Sequence, residues 1–205
     1  MNNRDGAVYT INDVNENGIP KWCIDYGSRI TSVVFDPSFA EARPTTIKGW
    51  FSGLVDLKQI SGMEFLNTSR VMDMSRTFEG CMNLTSLDLK GWNTLNVSNM
   101  GAMFIRCNAF KDLDVSTWDT QNVKAMDNMF KDCSNLTTLD LNNFNTRNVT
   151  NMSGMFNNCL NLTTIYVGDN WNTDNVTASD NMFKDSWKLV GEQGTTYRPN
   201  TKRLG

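Results

Sequence analysis

The stretch NVTNMSGMF, residues 148–156, indicates the fold of the chain, because two earlier stretches nearly repeat it. NVSNMGAMF occupies residues 96–104, and NVKAMDNMF occupies residues 122–130. One phenylalanine recurs every 26 or 27 residues, at Phe51, Phe78, Phe104, Phe130, Phe156 and Phe183. A fixed period in this range is typical of a solenoid, in which each repeat forms one coil that stacks on its neighbours.

The phenylalanine begins a longer unit that recurs in a fixed order. A cysteine follows three residues later, and then come L-x-x-L-x-L, an aromatic residue, T-x-N-V and M-x-x-M. A coil of this size cannot bury its own apolar side chains, so each unit is stable only when it is stacked on others. We predict a solenoid over residues 51–190 with about five coils, 51–77, 78–103, 104–129, 130–155 and 156–182, and a partial unit from 183.

The two ends of the chain lack this repeat. Residues 1–50 contain AVYTINDV, KWCIDYG and ITSVVFD, which read as strands separated by turn signals such as NENGIP. We therefore predict an N-terminal β-rich cap over residues 1–50. Residues 191–205 lose the pattern among glycines and polar residues, and we assign them to a C-terminal tail.

Two periodicities within each unit predict two kinds of secondary structure. Apolar residues three and four apart, Val97, Met100, Met103, Phe104 and Cys107, favour a helix of two to three turns that begins near Thr94 and Asn96. LTSLDL, LTTLDL and LTTIYV alternate instead, as in a strand with one buried face. The predicted fold is an α/β solenoid with a parallel sheet, one short strand and one short helix per coil.

The apolar slots predict buried columns that run through the stack. The methionine columns are Met74, Met100, Met126 and Met152, and Met103, Met129, Met155 and Met182. Cys81, Cys107, Cys133 and Cys159 share one slot, and Cys23 lies elsewhere. The chain has no histidine and no C-x-x-C pair, so we predict buried, reduced, structural cysteines, with no metal site and no cofactor.

Composition excludes several classes of protein. A net charge of −3 removes the long-range attraction to phosphate on which non-specific nucleic-acid binders depend. No apolar stretch is long enough to span a membrane, and MNNRDGAVYT lacks the apolar region of a secretory signal. We expect no nucleic-acid binding and no membrane insertion, and a chain that is either cytoplasmic or the mature form of an exported protein.

The outward positions of the strands form the candidate binding surface. Their two columns are Ser86, Asp112, Thr138 and Thr164, and Asp88, Asp114, Asp140 and Tyr166. Three carboxylates at strand spacing repel one another unless solvent, a cation or a basic partner relieves them. Two interpretations stay open: a solvated acidic face, or a site for a basic protein segment or Ca²⁺. The candidate partner-binding residues are Asp88, Asp112, Asp114, Asp140 and Tyr166.

An enzymatic interpretation of the same aspartates is disfavoured. Neighbouring carboxylates such as Asp88 and Asp114 could approach the separation of roughly 5 Å found in retaining glycosidases. A regular column, however, lacks the asymmetry that drives two carboxyl pKa values apart into acid and base. We predict no catalytic residue.

The repeat also generates the sequence N-x-[ST] at many positions: Asn67, Asn83, Asn96, Asn135, Asn148, Asn151, Asn161 and Asn175. Bulky glycans on adjacent coils would collide. We instead predict that the Asn and Thr columns are hydrogen-bond ladders and caps for loop backbone.

The repeat resembles a known family. L-x-x-L-x-L is similar to the first half of the leucine-rich repeat consensus, and the full unit resembles the BspA-like bacterial surface proteins with 26-residue leucine-rich-type repeats. The likeness covers roughly residues 20–197, since VVFDPSF and the segment that follows resemble the lead-in to those repeats. It implies a right-handed leucine-rich-repeat-like solenoid, displayed on a bacterial surface or secreted, that adheres to host or extracellular-matrix proteins.

These observations predict a non-catalytic protein-binding or adhesion module, monomeric, that recognises a partner on the sheet face. One alternative is a spacer that holds other parts of a longer surface protein at a distance. Another is an intracellular interaction solenoid, which the reduced cysteines and the missing signal would suit.

Overall fold

The structure of the protein is a computed structural model that describes residues 14–190. Helix α1 spans Lys21–Tyr26, and strands β1 to β4 span Ser32–Val34, Gln59–Ser61, Thr138–Leu141 and Thr164–Val167. Short 3₁₀ turns cover Gly27–Arg29, Pro37–Glu41 and Met63–Phe65. The strands form two parallel pairs, β1 with β2 and β3 with β4.

The N-terminal segment differs in part from the predicted β-rich cap. The strand predicted in ITSVVFD is confirmed as β1, but the strand predicted in KWCIDYG is wrong, because these residues form α1. A helix brings the consecutive residues Trp22 and Cys23 onto the first coil together, whereas a strand would point them to opposite faces. AVYTINDV lies outside the described residues except for Val14.

Strand β1 also extends the stack of coils. Ser32 pairs with Gln59 and Val34 with Ser61, a separation of 27 residues in parallel register. This separation equals that between Phe51 and Phe78. The segment around β1 therefore stacks as a further, degenerate coil.

The predicted strands of the repeats are confirmed only in the last two complete coils. LTTLDL contains β3 and LTTIYV contains β4, with Thr138 opposite Thr164 and Asp140 opposite Tyr166. LTSLDL, residues 84–89, contains no strand. The sheet is thus less continuous than the repeat alone predicts.

The short helix predicted in each coil is wrong. The N–H groups of Met100, Ala102 and Phe104 donate to carbonyl groups of the next coil, at 2.7–2.9 Å, instead of to the residue four positions earlier. The N–H groups in between close local turns, as from Met103 to the Met100 carbonyl at 3.3 Å. Isolated parallel bridges mark the same column through the stack: Thr46 with Asp73, Asp73 with Asn99, Asn99 with Ala125, Ala125 with Asn151, and Asn151 with Ala178.

Left-handed backbone explains why no helix forms. Two slots in each coil have positive φ: Gly49, Arg76, Ala102, Asn128, Gly154 and Asn181 in one, and Gly53, Gly80, Arg106, Asp132, Asn158 and Asp185 in the other. A left-handed residue cannot continue a right-handed helix. In the turns at these slots an N–H group bonds to the carbonyl three residues earlier. Apolar side chains three and four residues apart therefore still point into the core, as they would in a helix.

The predicted apolar columns are confirmed in the core. Phe51, Phe78, Phe104, Phe130 and Phe156 are fully buried and stack with ring centroids 5.2–5.8 Å apart. The Met columns are fully buried as far as Met155. Each coil therefore contributes the same side chains to one continuous core.

Polar side chains bond the coils together, which confirms the predicted ladders. Thr94 Oγ1 donates to the Asp119 carbonyl and accepts from the Asp119 N–H, both at 2.8 Å. Asparagine side chains donate to carbonyls of the preceding coil at Asn83, Asn96, Asn122, Asn148, Asn161 and Asn175. Asn67 and Asn151 instead accept from nearby N–H groups.

The cysteines are free and buried, as predicted. Each thiol of the column donates a hydrogen bond to the carbonyl of a phenylalanine in the preceding coil. The Cys133 thiol, for example, donates to the Phe104 carbonyl at 3.1 Å. Ser186 occupies the same slot in the last coil and donates to the Phe156 carbonyl. The column thus satisfies carbonyl groups that face the core.

The left-handed slot at Ala102 can be tested by substitution. Ala102 has φ of 56°. We expect Ala102→Gly to raise the free energy of unfolding by roughly 0.5–1 kcal/mol, because glycine adopts this conformation without the cost that an L-residue carries. In a helix the same change would lower stability by about 1 kcal/mol, so urea denaturation distinguishes the two.

Ala109→Gly is the matched control, since Ala109 has no positive φ. It should lower stability. A decrease for Ala102→Gly comparable to that of the control would contradict the assignment.

The buried thiols predict a loss of stability at alkaline pH. Burial raises the pKa of Cys133 and Cys107 well above the ordinary 9.0, and that of Cys159 to about 12. The unfolded chain then ionises above about pH 9 while the folded chain stays protonated, so stability is full below that pH and falls above it. Each thiol contributes up to about 1.4 kcal/mol per pH unit.

Cys133→Ser isolates one thiol, because serine already fills this slot at Ser186. The free energy of unfolding of each protein is measured with urea under reducing conditions. We expect the difference between the wild type and the variant to shrink as pH rises above about 9. A difference that does not change with pH would refute the prediction.

Candidate interaction surface

The strand positions present one exposed row of side chains per coil. In β3 the side chains of Leu139 and Leu141 are buried and those of Thr138 and Asp140 are exposed, whereas in β4 Tyr166 is exposed and no side chain is fully buried. The alternation in β3 follows from the two-residue period of a strand. The predicted outward columns therefore exist where the strands are paired.

The structure places some of the predicted site residues on paired strands and others on segments that are not strands. Asp140 lies directly opposite Tyr166 in the β3–β4 register. Asp88, Asp112 and Asp114 are exposed at equivalent positions, but their segments are not strands. The row is regular in sequence over four coils and paired as a sheet over two.

Each aspartate of the main column closes a turn directly after its strand position. The Oδ1 atom of Asp88 accepts from the Lys90 N–H at 3.2 Å, and that of Asp140 accepts from the Asn142 N–H at 3.0 Å. Asp114 makes the same bond to the Ser116 N–H at 3.1 Å. The residue type thus recurs for a local structural reason, which the sequence pattern did not reveal.

The turn also fixes the charge of Asp114. Hydrogen bonds from the Ser116 hydroxyl, at 2.6 Å, and from its N–H lower the carboxyl pKa, and the positive charge of Lys90 lowers it further. Asp114 is therefore an ionised carboxylate held in one orientation. The positive charge of Lys90 also reduces the repulsion between the carboxylates of the column.

Sequence reasoning missed the lysines of this surface. Lys58 and Lys111 occupy the slot that holds Thr85, Thr137 and Thr163 in other coils, and all five are exposed. The hydrogen bonds from the Thr137 N–H to the Lys111 carbonyl and from the Thr163 N–H to the Thr137 carbonyl place this slot in one column. Aligning the repeats by strand position would have found it. The face carries both signs of charge.

The same surface becomes apolar towards the last coils. Tyr166 is 53% exposed and the adjacent Val167 is 46% exposed. Their counterparts in β3 are the exposed Asp140 and the buried Leu141. The candidate surface is therefore a charged strip that ends at an aromatic and aliphatic pair.

Neither a metal centre nor a membrane span is found within residues 14–190. No three His, Cys, Asp or Glu side chains in that range are grouped to hold a metal ion. Over the same residues, no helix is both long and apolar enough to cross a bilayer.

Two solved structures of leucine-rich proteins are similar to this chain. The chain is similar to the crystal structure of the T. pallidum leucine-rich repeat protein TpLRR, with a TM-score of 0.50 and 16% identity over 80% of this chain and 79% of that one. A leucine-rich cell surface protein from Faecalibacterium prausnitzii matches with a TM-score of 0.38 and 17% identity, over 82% of this chain and 40% of that one. No curated protein matches the chain.

The first of these similarities supports a leucine-rich-repeat-like fold. A family model matches residues 45–165 and again residues 136–192. These ranges take in the coils and the aspartate column described above. Because they cover more than half of the sequence, the chain belongs to the family described as Mycoplasma protein of unknown function, DUF285.

Proposed function

We propose that the protein is a non-catalytic protein-binding module of a bacterial surface or secreted protein, and that its partner binds the strand face. The observation that carries this proposal is the fixed placement of charge on an exposed, regular face. Asp88, Asp114 and Asp140 are each held by the same turn, Lys90 acts on Asp114, and Lys111 is exposed in a neighbouring column.

Fixed side chains suit recognition of a folded or extended protein. A carboxylate already held by a turn loses little conformational freedom when a partner binds, so less of the interaction energy is spent on ordering. Interspersed charges of both signs favour one register and disfavour other partners. Tyr166, beside Val167, supplies the type of aromatic side chain that dominates many interfaces.

The geometry of the aspartates also supports a non-catalytic role. General acid and base catalysis by two carboxylates needs environments that separate their pKa values. Asp88, Asp114 and Asp140 have the same turn, and the pKa of Asp114 is lowered rather than raised. The proposed partner is a protein with basic and apolar groups, such as a host or extracellular-matrix protein.

The surface location rests on the resemblance of the repeat to BspA-like proteins and on the leucine-rich fold shared with a bacterial protein. A spacer is the second candidate, because the stacked Phe column and the backbone ladder run without interruption through the coils. A stiff stack of this kind can hold other segments at a distance whether or not its face binds a ligand.

Binding can be tested with the purified full chain on an array of extracellular-matrix and cell-surface proteins, with calcium present or chelated. The informative variant is Asp88→Asn with Asp114→Asn and Asp140→Asn, because asparagine keeps the turn-closing oxygen and removes only the charge. We expect a saturable partner whose affinity falls at least about tenfold, equivalent to about 1.4 kcal/mol, in this variant.

A triple variant with the same change in net charge provides the control: Glu16→Gln, Glu41→Gln and Asp180→Asn, all exposed and outside the strand positions. It should bind as the wild type does. Equal affinity for all three proteins would refute the proposed face, and the absence of any partner would favour the spacer.

A further inference from the structure

In the segment of each coil that contains the two left-handed residues, such as 100–106, the backbone hydrogen bonds to the next coil all point the same way, whereas the N–H group just before this segment, as from Ser98 to the Met72 carbonyl, points the other way. At each of five junctions four N–H groups of the earlier coil donate to four carbonyls of the later coil, beginning with Ile47 to Asp73 and ending with Asn158 to Lys184. An ordinary strand edge presents both donors and acceptors to its neighbour. This ladder instead presents acceptors at its N-terminal end and donors at its C-terminal end.

At the N-terminal end of the ladder, the Trp50 carbonyl is covered by donor side chains of α1. The Trp22 indole Nε1 donates to the Trp50 carbonyl at 2.8 Å, and the Cys23 thiol lies 3.1 Å from the same oxygen. Helix α1 thus places donor side chains where the ladder has acceptors. This accounts for the two buried residues that the sequence pattern left without a role.

The opposite end has the complementary chemistry. Asn181, Phe183 and Asp185 occupy the slots of Gly154, Phe156 and Asn158 in the preceding coil, whose N–H groups donate across a junction at 2.7–2.8 Å. No residue from 14 to 190 accepts a backbone hydrogen bond from Asn181, Phe183 or Asp185. A backbone donor without an acceptor is a strong requirement for a partner or solvent.

The apolar columns stop at the same place. Phe183 stacks on Phe156 with ring centroids 5.5 Å apart, but it is only partly buried, whereas Phe156 is fully buried. Met182 and Leu189 are also only partly buried. The end of the stack therefore combines a row of donors with an incompletely covered core.

We propose that this end, defined by Asn181, Met182, Phe183, Asp185 and Leu189, docks a repeat-type segment of another polypeptide. The segment would offer carbonyls on alternate residues to the three N–H groups and place an aromatic ring on Phe183. The five internal junctions of the chain supply the template, because each joins the same two surfaces.

The direction of the ladder excludes the simplest self-association. Two copies that meet through their C-terminal ends would oppose donors to donors. Stacking of this end on the N-terminal end of a second copy is opposed, because α1 already covers the Trp50 carbonyl there. The occupant is therefore a chain with an uncovered acceptor edge, and not a second intact copy.

The probe is a synthetic peptide of residues 148–161 with Cys159→Ser, added to the full-length protein. It contains Met152 and Phe156 and the carbonyls of Asn151, Ser153, Met155 and Asn157 that act as acceptors inside the chain. Amide hydrogen exchange followed by NMR should show fast exchange at Asn181, Phe183 and Asp185 in the protein alone. Saturating peptide should slow it at least about tenfold.

Variants locate the peptide. Phe183→Asp should weaken binding at least about tenfold. Lys184→Ala, at a neighbouring exposed residue whose N–H closes a local turn, should leave binding unchanged. The Phe156 amide, buried one coil away, should exchange slowly in every protein and report that the fold is intact.

Three results would overturn the proposal. Slow exchange at the three amides in the protein alone, independent of concentration, would mean that residues 191–205 cover the end. Slowing that grows with protein concentration would mean that a second copy covers it. Peptide binding that is unchanged by Phe183→Asp would place the peptide elsewhere.

Discussion

The backbone hydrogen bond from one coil to the next is the interaction on which this fold depends. In the segment that contains Ala102 and Phe104, alternate N–H groups bond to the following coil, and this is possible only because two residues per coil are left-handed. That geometry prevents a helix and sets the spacing of the coils. The Phe rings, Met side chains and cysteines can then stack in columns, because every coil repeats the same backbone.

The polar columns follow from the same constraint. Coils that stack closely bury loop backbone, and buried backbone groups need partners. Threonines such as Thr94 and asparagines such as Asn96 supply those partners through bonds to adjacent coils. The aspartates after the strand positions belong to this system, since each closes a turn. Their regular placement on the proposed binding face is therefore a by-product of folding that recognition can use.

Direction distinguishes this ladder from a β-sheet. Because the four bonds at each junction of the segment with the left-handed residues run from the earlier to the later coil, the two ends of that segment's column differ in chemistry and need different covers. Trp22 and Cys23 meet the need for donors at one end. The other end of the ladder has N–H donors and needs acceptors. Two copies that meet through this same end would place donors against donors.

The sequence by itself determined the repeat, the columns of Phe, Met and Cys, the ladders of Asn and Thr, and the outward position of Asp140 and Tyr166, because periodicity records which side chains share an environment. It could not distinguish a helix at Met100 and Met103 from successive turns, since both bury residues three and four apart. Tertiary structure decided that point, because the preference for a bond to the next coil over one within the segment exists only once the coils are stacked. It also decided that Asp114 is fixed beside Lys90, since that pair lies on different coils.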